Sequence, residues 1–168
     1  TPDPTGSVNS NIRTVSLIRG MGTRVVAREL VKIISATRRL YVTGASLDEP
    51  WLLQGLGAIA EELIFYRTSL GLTPRQNIIV SDITVGPNAS RRGTAFNTYA
   101  NPNFGNFRSW LQRPDTSGAF KGSSSLASHG ALWAFLRYAA DRDPGSDTTF
   151  WSGFIDRPQT GLANLQAA

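Results

Sequence analysis

Two neighbouring blocks of helical periodicity, together spanning Gly22 to Arg67, constrain this chain more than any other feature. In the first, Val26, Leu30, Ile33, Ile34 and Thr37 recur at the i, i+4, i+7, i+8 spacing of one helix face. A helix is therefore expected over about Thr23 to Tyr41, with that face buried. Arg28, Lys32, Ser35 and Arg39 form a separate polar stripe on it. In the second block, Leu52, Leu56, Ile59, Leu63 and Tyr66 make an apolar face. Asp48 is the expected N-cap there, Pro50 is tolerated in the first turn, and Gly71 followed by Pro74 is a stop.

The remaining segments are read from their punctuation. Residues 1–12 are rich in Pro, Gly, Ser and Asn and read as an extended arm. Residues 13–19 are expected as a short strand. In the irregular stretch 72–93, residues 78–80 and 83–85 read as short strands or a buried loop, and Pro87, Asn88 and Gly93 break anything regular. A third helix is expected over about Phe96 to Gln112, interrupted at Pro102. Lys121 to Ser125 reads as a Gly/Ser loop. A fourth helix, about Ser125 to Arg142, rests on Leu132, Phe135, Leu136 and Ala139, and Asp143-Pro144-Gly145 ends it. A fifth covers about Asp147 to Asp156, with a last short helix at 161–167. There is no internal repeat. The expected class is mainly α: a compact, single multi-helix domain over 13–168 behind the 1–12 arm, with few or no short strands.

Composition narrows the chemistry. With 168 residues, 40% of them hydrophobic and 17% charged, one globular domain with a proper core is the natural expectation. No cysteine is present, which excludes disulfides, Cys-ligated zinc and thiol catalysis. The single histidine, His129, rules out a site built from two or three histidines. A Ser-His-Asp triad would have to use it, with Ser123, Ser124 or Ser125 nearby, but no G-x-S-x-G elbow is present. His129 therefore reads as a structural or surface residue. The Glu61-Glu62 and Asp141-Arg142-Asp143 carboxylates read as helix-end and solvated-face groups rather than an acid–base pair. Gly20-Met21-Gly22 is too short for a phosphate loop. Trp51, Trp110, Trp133, Trp151, Phe135 and Phe150 read as core, with one or two as anchors on a partner surface.

The net charge of +5 rests almost wholly on arginine, with Lys32 and Lys121 the only lysines. These charges are scattered along the chain, so they read as a docking surface for an acidic partner rather than a nucleic-acid site. No apolar run is long enough to span a bilayer. The chain begins at Thr1 without Met, which implies a removed leader or a start inside a longer chain.

At the first helix a family likeness becomes specific. Residues 28–42, RELVKIISATRRLYV, resemble the active-site helix of secreted bacterial zinc metallopeptidases of the hyicolysin type. That family carries H-E-x-Q-H followed by an Ile/Asn/Ala run and R-R-L-Y-V. Residues 49–67, EPWLLQGLGAIAEELIFYR, resemble its glutamate helix, where W-L-N-E-G-L supplies the third zinc ligand. The segments TPDPTGSVNSNIRT, FNTYANPNFGNFRSWL, GALWAFLRYAADR and TGLANLQA are also similar to that family. The likeness implies a compact metallopeptidase-like, gluzincin-like helical domain, trimmed at both ends.

The departures carry the functional expectation. Arg28 and Lys32 stand at the two zinc histidines and Gln54 at the ligand glutamate, while Glu29 keeps the general-base position. The family motif works because side chains four apart on a helix can grip one ion, which then acidifies a bound water for the glutamate. Arginine has no lone pair to offer, lysine binds metal only when deprotonated, and glutamine is a weak neutral ligand. Helical spacing alone makes Arg28 and Lys32 a solvated stripe. The family likeness instead implies a half-buried degenerate site, in which an ionic cluster of Arg28 and Lys32 with Glu61 (or Glu29) takes the place of zinc. No metal and no cofactor are expected. The implied protein is a non-catalytic structural or accessory subunit. It would dock on other subunits of a larger extracytoplasmic or membrane-bound assembly, periplasmic in place. A bacterial photosynthetic reaction-centre–light-harvesting complex is one assembly of that kind. The alternative is a hydrolase with a displaced or metal-independent site.

Overall fold

The computed structural model of the chain describes residues 14–118, 120 and 125–167. The 1–12 arm and Lys121, Ser123 and Ser124 lie outside the described residues. Every regular element among the described residues is helical. In chain order these are α1 (Val15–Thr37), α2 (Pro50–Thr68), α3 (Val80–Thr84), α4 (Ala89–Ala95), α5 (Asn101–Gln112), α6 (Leu126–Arg142), α7 (Asp147–Ile155) and α8 (Gly161–Gln166). Widened π-helical turns extend α1 through Arg38–Val42 and join α4 to α5 through Phe96–Ala100.

Short polar side chains start the helices. Thr14 Oγ1 accepts from Leu17 N at 3.2 Å, Ser125 Oγ from Ser128 N at 3.1 Å, and Ser146 Oγ from Thr149 N at 3.1 Å. Each satisfies a first-turn donor that has no intrahelical partner. The Thr14 cap corrects the strand expected at 13–19, because the chain is helical from Val15 onward. Asp48 does not cap α2, whose cap residue is Glu49. Strands at 78–80 and 83–85 do not form either. Asp82 folds back onto Ile79 N at 2.9 Å and opens the single turn of α3, leaving Ile79, Val80 and Val85 exposed. Pro102 lies in the first turn of α5, where its missing N–H costs nothing, so it begins a helix instead of interrupting one.

The core forms around α2 and α6. Leu52, Leu56 and Ile59 meet Leu132, Leu136 and Ala140, and Phe150, Trp151 and Phe154 of α7 close one end. Trp51 and Trp133 are buried with them, as the sequence leads one to expect, while Trp110 and Phe135 are half-buried. Gly130 lets α5 approach α6, since a Cβ there would lie 2.1 Å from Phe107 N. A second cluster, Phe65, Leu72, Ala95 and Ala100, packs beside the first.

The largest correction concerns the orientation of α1. Its apolar stripe, expected to be buried, faces outward: Val26 is 63% exposed and Ile33 62%, with Leu30 and Ile34 also exposed. The polar stripe faces inward, with Ser35 and Arg39 fully buried. The reason lies in what the α1–α2 connection and residues 157–164 present to it. Arg39 donates to the carbonyls of Ser46, Arg157 and Gln159 at 2.8 Å each, and to Pro158 O at 3.3 Å. Asp48, 3.5 Å from the same guanidinium, accepts from Gly161 N at 2.7 Å and from Asn164 Nδ2 at 2.9 Å. Buried cations require partners of this kind, and an apolar ridge facing them would leave those partners unsatisfied.

Candidate functional site

The polar stripe of α1 lines a cleft of about 460 Å3 shared with α2 and the start of α6. Arg24, Arg28 and Lys32 succeed one another at four-residue steps, so they share one helix face. Gly57 of α2 lies under Arg28, where a Cβ would come 3.5 Å from the Arg28 Cβ, and this brings the two helices close. Gln54 lines the same cleft, and Glu61, seven residues further on, lies at its floor and is 1% exposed.

Glu61 receives two guanidinium groups. Its Oε2 accepts from Arg24 Nε at 3.0 Å and Nη2 at 2.7 Å, and its Oε1 accepts from Arg28 Nη1 at 3.2 Å. Arg28 Nη2 lies 3.1 Å from His129 Nδ1 on α6. Lys32 Nζ donates to Glu29 Oε1 at 3.0 Å, and Glu29 stands at the rim, 58% exposed. Arg28, Glu29, Lys32, Gln54 and Glu61, all singled out in the sequence, therefore lie in one cleft. Three cations face two carboxylates there, which leaves a local excess of positive charge.

A guanidinium only donates, so His129 Nδ1 is the acceptor and the ring proton belongs on Nε2. That nitrogen is buried with no hydrogen-bond partner among the described residues. Burial lowers the His129 pKa most, and Arg28 and Lys32 lower it further, so the ring is neutral near pH ~7. Of the two expectations, structural or surface, the surface one is corrected: His129 is buried and forms one wall of the cleft. Of the serines named with it, Ser125 caps α6 and lies 2.9 Å from Ser128 Oγ, and Ser123 and Ser124 lie outside the described residues.

Sequence reasoning missed two members of this site. Arg24 had a usable signal, since it precedes Arg28 by four residues. His129 had none, because its pairing spans 101 positions. Chemically, the cleft offers charge-assisted hydrogen bonds and no metal-ligating set. Among the described residues no three of His, Cys, Asp and Glu gather closely enough to hold a metal ion.

Glu62 is internal as well, which corrects the solvated-face reading of Glu61 and Glu62, whereas Asp141 near the end of α6 is exposed as expected. Glu62 is 4% exposed and accepts from Trp133 Nε1 at 2.7 Å. Burial is the main cause that raises its pKa to about 7. Arg137 bridges Asp147 at 2.6 Å and Asp141 at 2.8 Å. Gly20-Met21-Gly22 lies within α1 and forms no loop. Among the described residues, no helix is long and apolar enough to cross a membrane. No protein-family model, curated protein or solved structure matches this chain significantly.

Proposed function

We propose that this chain is a non-catalytic, metallopeptidase-derived subunit that docks on a larger extracytoplasmic or membrane-associated protein assembly and stabilises it. The observation that carries this reading is the inverted α1. Val26, Leu30, Ile33 and Ile34 form a continuous apolar ridge on its outer face, and Tyr41 and Val42 extend it at 83% and 63% exposure. Scattered exposed apolar residues are ordinary, but a contiguous ridge is the signature of a surface that another chain covers.

The inner face of the same helix supports the non-catalytic part of the proposal. The positions that resemble zinc ligands hold Arg28, Lys32 and Gln54, and the arginine is tied to Glu61 and His129. The helix that resembles a catalytic element thus stabilises its own fold on one side and offers an apolar ridge on the other. The partner that fits is a protein subunit with an apolar stripe and acidic flanks, given the chain's charge of +5. The resemblance of residues 28–42 and 49–67 to secreted enzymes supports an assembly on the outer side of a bacterial membrane.

Affinity purification of the tagged chain from gently solubilised membranes tests the proposal. A fixed set of subunits at matched stoichiometry is the expected result. Replacing Val26 and Ile33 together by Glu should abolish that association while the circular dichroism spectrum stays unchanged, since both side chains are already in solvent. A wild-type chain recovered alone, or a double variant that retains its partners, would overturn the docking surface.

A further inference from the structure

A second chamber, separate from the α1 cleft, lies between the two apolar clusters. It encloses about 270 Å3. Five aromatic side chains follow one another along its lining. Trp133 meets Phe104 with ring centroids 4.8 Å apart, Phe104 meets Phe96 at 5.9 Å, Phe96 meets Phe65 at 6.0 Å, and Phe65 meets Tyr66 at 5.0 Å. Glu62 lines the same space. Gln76, Asn77 and Phe104 are exposed, while Glu62, Phe65 and Trp133 are buried. The chamber therefore runs from an open rim to a closed aromatic floor with one carboxyl group on it.

The charges around that carboxyl are unbalanced. Its nearest cation, Arg137, stands 3.8 Å away, beyond hydrogen-bond reach. Both ends of the Arg137 fork are committed to Asp147, at 2.6 and 2.7 Å. Asp141 also draws on Arg137 at 2.8 Å. Arg75 likewise serves Asp147 at 2.9 Å and approaches Asp143 at 3.8 Å. Four carboxylates thus share two guanidiniums, and Glu62 and Asp143 stand farthest from them, Glu62 being the buried one of the two. It accepts a hydrogen bond from the neutral Trp133 indole. Burial pushes its pKa up to about 7, as follows for a carboxyl lacking a close counter-charge. Aromatic faces attract cations through their quadrupoles, and a ring of them around a carboxylate reinforces that preference.

We propose that this chamber is a binding site for a hydrophobic organic cation, an aryl- or alkylammonium whose charge rests against Glu62 and whose apolar body lies along the wall from Trp133 to Phe65. The site is independent of the docking ridge and of the degenerate cleft, so it stands or falls separately from the proposed function.

Titration of the full chain with phenethylammonium chloride and with phenethyl alcohol tests it, followed by calorimetry and by the Trp133 indole N–H resonance. The two probes share an apolar body and differ in charge. The ammonium should bind saturably and shift that resonance, and the alcohol should bind at least about tenfold more weakly. Glu62→Gln should remove the tenfold difference by weakening the ammonium alone. Phe104→Ala, at a half-exposed position of the wall, should weaken both probes. If Glu62→Gln fails to fold, the wild-type comparison and Phe104→Ala decide the matter. Equal affinity for the two probes, or no saturable binding of the ammonium, would overturn the proposal.

Discussion

Replacing Glu61 by Gln should be far more damaging than its single-atom change suggests. Three charge-assisted hydrogen bonds end on Glu61, two from Arg24 and one from Arg28. Glutamine keeps one oxygen, enough either for the Arg24 pair on Oε2 or for the Arg28 bond on Oε1, and turns an amide N–H group towards the other guanidinium. Removing one partner of a buried pair costs ~3–5 kcal/mol, because the other charge is left uncompensated. Here the arginines retain 23% and 16% exposure, so water recovers part of the loss. A destabilisation of ~2–4 kcal/mol follows. For a chain of this size that lowers Tm by roughly 8 °C. Urea and thermal unfolding followed by circular dichroism measure it directly. The loss should persist in ~1 M salt, since a buried cluster is weakly screened. Glu29→Gln is the control. Glu29 pairs only with Lys32 at the rim, and its loss should cost ~0–1 kcal/mol. A Glu61→Gln chain within ~1 kcal/mol of wild type, or an equal cost at Glu29, would refute the view that this cluster fastens α1 to α2.

Three further outcomes are expected. The triple variant Arg28→His, Lys32→His, Gln54→Glu should bind zinc stoichiometrically by metal analysis and gain thermal stability with added zinc, if the α1–α2 geometry is that of the metallopeptidases; a metal-free product would count against that descent. Arg39→Met should cost ~3–5 kcal/mol in urea unfolding, because it leaves four backbone carbonyls and Asp48 without their common partner. Glu62 has its pKa raised from 4.5 to about 7 by burial, so the native chain holds a proton that the unfolded chain has lost between those values. The stability this proton contributes is fully present below the lower value and disappears as pH rises through the upper one. The urea midpoint should therefore fall from pH ~5 to pH ~8, and Glu62→Gln should flatten that slope. A wild-type profile as flat as the variant's would show that Glu62 ionises normally.

The helices were legible in the sequence because their signals are local. Four-residue repeats on 26–37, 52–66 and 132–139 sufficed to place α1, α2 and α6, and Gly71 and Asp143-Pro144-Gly145 marked two of their ends. Helix α3 was not legible: of its two Ile/Val side chains Ile83 packs on the second cluster and Val80 is exposed, too few for a helical repeat, and only the fold of Asp82 onto Ile79 N distinguishes it from a strand. The grouping of Arg28, Glu29, Lys32, Gln54 and Glu61 could be anticipated, since helical geometry and the family likeness fix their relative faces. The inclusion of His129 could not, because nothing local to α1 refers to α6.

The sequence alone determined the helices α1, α2 and α6 in their main part, which side chains share a stripe on them, and that cysteine chemistry and a site of two or three histidines are excluded, but not the helical turns at 15–22, 80–84 and 89–95. Only the tertiary structure decided which stripe of α1 points inward. Periodicity measures the separation of polar and apolar faces but carries no sign. The sign comes from what lies opposite, and here Glu61, Asp48 and the carbonyls of residues 157–159 all require hydrogen-bond donors, which the arginines supply. A buried polar partner left unsatisfied costs more than an apolar ridge left in water, so Arg24, Arg28 and Arg39 turn in and Val26, Leu30, Ile33 and Ile34 turn out.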